Sequence, residues 1–212
     1  MPAKQPVHPI RLHRFSLSGH AHRVELFLSL LGLSAELIEV DLRTGAHRQP
    51  DFLAKNPYGQ VPVLEDGDIT LADSNAILVY LAAKYGDEHW LPRDPEGAAA
   101  VQQFLSLAAG EIANGPATAR RFNLFGSAVD YDAAKSLATR LFSIWEQQLA
   151  TRNFLTGAHP TIADIACYSY TAHAPEGGIS LQDYPHIRAR LKRIEALPGF
   201  VPMQASKVTL AA

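Results

Sequence analysis

Three short stretches of the 212-residue chain set chemically capable residues at positions where backbone geometry can help them: SLSGHAHRV, GQVPV and LADSN. In the first, Ser18 stands just before a helix. A serine there caps free backbone N–H groups, and the same hydroxyl can donate to an anion lying over the positive helix end. If that anion is a thiolate, with a free pKa of roughly 8.5, lowering it by two units needs about 2.7 kcal/mol. A hydrogen bond to a charged group supplies about 1.5 to 3 kcal/mol and the helix terminus about 0.3 to 1 kcal/mol. No general base is then required. Ser16 is a second hydroxyl in the same loop, and His20 follows Ser18 by two positions.

In the second stretch, Pro62 stands where a strand begins and cannot donate to a ladder. As a trans bond Val61-Pro62 is an ordinary strand start. As a cis bond it turns the backbone of Val61 outward, where its N–H and C=O can pair with a short peptide as an added strand. In the third, Asp73-Ser74 precedes a helix. Either residue serves as a cap, while the helix start suits a carboxylate and Asp73 suits an ammonium. Together these match the two charged ends of an α-amino acid.

Other constellations carry less. His13, His20 and His22 are unaccompanied by a carboxylate or thiolate ligand pattern, so no metal is expected. A triad of Ser18, His20 and a distant aspartate lacks the GxSxG elbow. Thr161 and Asp164 form a capping box that starts a helix. The single cysteine, Cys167, excludes an internal disulfide or CxxC pair and falls on a helix face expected to be buried, where it acts as a small hydrophobe.

The elements that must position these residues follow from periodicity. Ile10 to Phe15 reads as a strand; Val24, Phe27, Leu28 and Leu31 mark an amphipathic helix stopped near Gly32; Glu36 to Val40 alternates as a strand. Connections this short favour a right-handed parallel βαβ unit. PDFLAKNP suggests a short helix, VPVLEDGDITL a hairpin turning at Asp66-Gly67, and Ser74 to Tyr85 a further helix. The turn-rich GDEHWLPRDPEG reads as a linker. Beyond it only helical stripes appear: Val101, Phe104, Leu105, Ala108 and Ile112; Leu137, Leu141, Ile144 and Leu149; Ile187, Leu191 and Ile194. The expected fold class is α/β plus all-α: a βαβ-ββα domain at 1–86, a linker at 87–95 and a helix bundle at 96–212.

Apolar residues are 47% and charged residues 19%, an ordinary globular balance, and 19 basic against 21 acidic side chains give a net charge of -2. Without a basic run, nucleic acid is not an expected partner. No apolar leader or spanning segment is evident, so a cytoplasmic protein is expected.

In their order and spacing, SGHAHRVELFLSLLGL, NPYGQVPVL, LADSNAILVYLA and TIADI resemble the cytosolic glutathione transferases across essentially the full chain. The resemblance implies a thioredoxin-like first domain, glutathione as co-substrate, a hydrophobic electrophilic small molecule as second substrate, no metal, and a homodimer. It implies that Val61 pairs with the cysteinyl part beside a cis Pro62, that Asp73 and Ser74 take the γ-glutamyl end, and that His47 and Gln60 lie near the glycyl carboxylate. Ser18 takes the catalytic place of the serine-type theta, delta and zeta classes. His20 stands where cysteine-type classes and the zeta motif carry a cysteine, which argues against mixed-disulfide chemistry and leaves His20 to orient the thiol or substrate. Phe15, Leu17, Ile112, Gly115, Arg120 and Arg121 are expected to face the second substrate, the arginines meeting an anionic or carbonyl oxygen unless they only solvate a helix end. Conjugation, with peroxide reduction as an added activity, is the leading expectation. A non-catalytic glutathione-binding protein of the same fold and a glutathione-dependent isomerase or dehalogenase are the alternatives.

Overall fold

The structure, a computed structural model, describes residues 5–206. A four-stranded mixed sheet runs β2-β1-β3-β4, from β1 (Ile10–Arg14), β2 (Ala35–Glu39), β3 (Val63–Asp66) and β4 (Ile69–Ala72). β1 is parallel to β2 and antiparallel to β3, and β3 is antiparallel to β4. The parallel pair is joined through α1 (Gly19–Leu30), which ends where Gly32 adopts φ +66°, a conformation that glycine takes without steric penalty.

Alternation along the strands sorts two cores. Ile10, Leu12 and Leu64 face α1 and α3 (Ser74–Tyr85). His13 and Val63 face the opposite side, where the His13 ring meets Phe52 edge-on at 6.3 Å. There a short helix, α2 (Pro50–Leu53), and a 3-10 turn at Ala46–Arg48 close a small core of Val40, Phe52, Val61 and Val63. The hairpin closes one residue later than expected: Asp66 pairs with Ile69, leaving Gly67 and Asp68 as the loop. Asp66 stays in the strand because its buried carboxylate accepts from Tyr80, Lys84 and Tyr85, each at 2.7 Å.

The helical half comprises α4 (Pro95–Leu107), α5 (Pro116–Phe125), α6 (Tyr131–Leu149), α7 (Ile162–Ala172) and α8 (Pro185–Glu195), with a π-helical segment, Ala108–Ile112, after α4. α7 is buried along its length and packs against α1, α3 and α4. Thr161 and Asp164 form the expected capping box, and Arg190 of α8 donates to Asp164 Oδ1 at 2.8 Å. On α6 the buried face is Ala134, Ala138, Leu141, Phe142, Trp145 and Leu149. Ile144, expected inside, is exposed, because the larger Phe142 and Trp145 rings rotate the inward stripe. The two halves share one apolar core, and Trp90, in the segment between them, packs edge-on against Phe27 at 5.1 Å.

Candidate active site

Where the loop ends of the sheet meet α5, α7 and the π-helical segment, a cleft of about 720 Å³ opens, within the size range of small-molecule sites. Ser18 lies on its sheet side as the N-cap of α1, and its Oγ accepts from Ala21 N at 3.3 Å. Accepting uses a lone pair and leaves the O–H proton available. Capping and donation of that proton to an anion in the cleft are therefore compatible at this residue. Ser16 does not line the cleft; its backbone N–H donates to Glu39 Oε1 at 2.8 Å.

His20, one helical position into α1, lines the cleft with its ring edge-on to Tyr170 at 4.9 Å. Burial first, and then the charges of Arg23 and Arg121, push its pKa down to about 3. The imidazole is neutral at physiological pH: a hydrogen-bonding group and a weak base. The other two histidines take separate partners. His13 meets Glu65 at 2.9 Å. His22 Nε2 donates to the carbonyl of Val201 at 3.0 Å, which leaves Nδ1 to accept from Ser169 at 2.8 Å.

The Val61-Pro62 bond is cis. Among the described residues neither the N–H nor the C=O of Val61 takes a hydrogen-bond partner, although the side chain is buried in the small core. Asn56, also buried, holds the preceding loop by donating to Gln60 O at 2.7 Å and accepting from Tyr58 N at 3.1 Å. His47 and Gln60 line the same end of the wall. At the start of α3 the cap is Asp73, whose Oδ1 accepts from Asn75 N and Ala76 N, both at 2.9 Å. Asp73 is the one non-glycine residue at positive φ among those described, at 68°, a conformation that typically costs about 1 to 3 kcal/mol and is offset here by the two cap bonds. Ser74 is buried beside it.

Sequence reasoning missed Arg23. It is fully buried, lines the cleft, and donates Nη1 to Asn75 Oδ1 at 2.9 Å and to Ser74 Oγ at 3.4 Å, while Nε and Nη2 have no partner among the described residues. A charged residue one place from Val24 and four from Phe27, on an otherwise apolar helix face, was the available signal. Asn75, Tyr170, Asn114 and Phe125 also line the cleft.

On the helical side Phe15 and Phe125 approach with ring centroids 6.4 Å apart, and Leu17 and Arg121 line the cleft. Ile112 does not: it is fully buried in the shared core, continuing the stripe of α4, and Ala109 and Ala113 face the cleft instead. Gly115 also points away, since a Cβ there would stand 2.7 Å from Glu111 O. Arg120 reaches the cleft wall but is buried with its charge paired, donating Nε to Glu176 Oε2 at 2.6 Å and Nη1 to Leu17 O at 2.7 Å, while Nη2 has no partner among the described residues. It sits in mid-helix, not at a helix end. The Cys167 thiol, buried and pushed up to about 12 by burial, stays protonated in the bundle. Among the described residues no helix is long and apolar enough to cross a membrane.

Comparison with known proteins is consistent with this geometry. The model for the N-terminal domain of glutathione S-transferase matches residues 10–83, and that for the C-terminal domain matches residues 100–198. Glutathione S-transferase 3 of Zea mays is 35% identical over 91% of this chain and 91% of its own. A crystal structure of a glutathione S-transferase from Pseudomonas fluorescens superposes with a TM-score of 0.88 at 34% identity, covering 93% of this chain and 100% of the other. A glutathione transferase homologue from Drosophila mojavensis, solved with bound glutathione, gives a TM-score of 0.79 at 30% identity over 90% of this chain and 89% of its own.

Proposed function

Because the chain belongs to the glutathione S-transferase family, we propose that glutathione lies along the sheet side of the cleft with its sulfur held as a thiolate by Ser18. The observation that carries this reading is the Ser18 hydroxyl, which accepts the α1 cap bond and so keeps its proton for the sulfur. The unpartnered N–H and C=O of Val61, beside Pro62, suit the cysteinyl backbone. The N-terminus of α3 at Ser74 suits the γ-glutamyl carboxylate, and Asp73 Oδ2, which takes no part in the cap, suits its ammonium. His47 and Gln60 take the glycyl carboxylate. Neutral His20 orients the thiol or the electrophile without acting as a general base.

The thiolate attacks an electrophilic carbon of an apolar small molecule: a C–S bond forms and the leaving group departs with its electron pair. Peroxide reduction would draw on the same thiolate. The reading assigns 1–86 to the glutathione-binding domain, 87–95 to a linker and 96–212 to the helical domain, residues 1–4 and 207–212 lying outside the described residues, in a cytoplasmic homodimer that detoxifies electrophiles. An exposed Tyr58 (83%) and Ile69 on the edge strand β4 offer apolar surface for a second copy.

Ser18→Ala should lower kcat with chlorodinitrobenzene by about tenfold or more, with the glutathione Kd within about threefold of the parent value by calorimetry. Unchanged turnover would remove Ser18 from the mechanism. Absence of glutathione binding by the parent enzyme would favour a different ligand.

A further inference from the structure

The helical side of the cleft carries a positive charge that the protein does not neutralise. Arg121 is exposed, lines the cleft, and among the described residues makes one hydrogen bond, Nη2 to Thr118 Oγ1 at 3.2 Å, and no ion pair. Its neighbour Arg120 is committed to Glu176 and Leu17. Among the described residues the one carboxylate lining the cleft is Asp73, whose Oδ1 is engaged at the cap of α3.

Phe125 follows Arg121 by one helical turn on α5, so the ring and the guanidinium share a face. Phe125 approaches Phe15 from the other half with ring planes tilted by 48°. A flat body can lie against this pair while a substituent at its edge reaches the guanidinium, whose planar fork matches a carboxylate. Nearby His20 stays neutral, first through burial and then through the fields of Arg23 and Arg121; the other cation without a carboxylate partner among the described residues of the cleft is Arg23, buried on the sheet side against Asn75 and Ser74.

We infer that Arg121 is an anion subsite for the second substrate, and that the enzyme prefers flat apolar electrophiles bearing a carboxylate over their uncharged analogues. This rests on the glutathione transferase reading above. If Arg121 instead served the thiolate, charged and uncharged analogues would gain alike.

The test uses two arenes of nearly equal shape, chloronitrobenzoate and chloronitrobenzamide, together with their glutathione conjugates, so that binding is read apart from turnover. By calorimetry the parent protein should bind the carboxylate conjugate about fivefold or more tighter than the amide conjugate, a preference that falls as ionic strength rises. Arg121→Gln should reduce that ratio by about fivefold or more, and the ratio of kcat/KM values for the two arenes should follow. A smaller parent preference, or a ratio that the substitution leaves in place, overturns the subsite. Conjugates that bind with the expected ratio while neither arene is turned over support the subsite and count against the transferase reading. Because the side chain is exposed, an unchanged thermal midpoint for Arg121→Gln verifies that the fold is intact.

Discussion

At Ser18 a structural and a chemical reading of one side chain prove compatible, because they use different parts of the hydroxyl: a lone pair for Ala21 N and the proton for an anion. The adjacent arginines divide the other way. Arg120 and Glu176 are both about 2% exposed in side chain, and removing one partner of a buried pair strands the other charge at a cost of about 3 to 5 kcal/mol. Arg120→Ala should therefore lower unfolding stability by about that amount in urea titration, and a loss below about 1 kcal/mol would contradict the pair's role. The residue types at Ser18, Val61, Asp73 and Ser74 were legible because each sits at a turn or cap whose chemistry is local. Which of Arg120 and Arg121 is free was not legible, since it depends on Glu176, 56 positions away. Arg23 was hidden for the same reason, its partners lying on α3.

The start of α1 shows how tightly an element can aim these groups. Gly19, between Ser18 and His20, is fully packed against α7: a Cβ there would stand 2.8 Å from the Tyr170 ring. Gly19→Ala should displace either that ring or the helix start, costing about 1 to 3 kcal/mol and lowering kcat, with thermal unfolding and turnover measured on one preparation. Full stability with full turnover would show that the contact positions nothing. Asp73→Ala removes both cap bonds of α3, and a loss of about 0.5 to 2 kcal/mol in stability is expected, together with a higher KM for glutathione. Element order was readable from the change of period between strands and helices. Element faces were read less well where bulk overrode spacing, as Phe142 and Trp145 displaced Ile144. The buried stripe of α4 did continue to Ile112, which is the reason that residue is absent from the cleft.

Over the whole molecule, the shared core and the His22 bridge from α1 to Ser169 and Val201 join the halves. His22 is held down to about 4, burial being the main cause, and His20 to about 3. An unfolded imidazole titrates near 6.5, so below that pH the unfolded chain takes up protons that the folded one refuses. Stability should fall with acidification between about pH 6.5 and 4 as the unfolded chain protonates at both histidines. Glu176, held down to about 2 although burial opposes it, by its bonds from His173, Arg120 and Ser206, extends the loss below about pH 4.5. A thermal midpoint flat from pH 7 to 4 would contradict these protonation states. The central claim concerns the sulfur. Thiolate absorbance of the enzyme–glutathione complex, titrated against pH, should give a midpoint about one to two units below the free value of roughly 8.5 in the parent enzyme and a return toward that value in Ser18→Ala. An equal midpoint in both proteins would contradict the account.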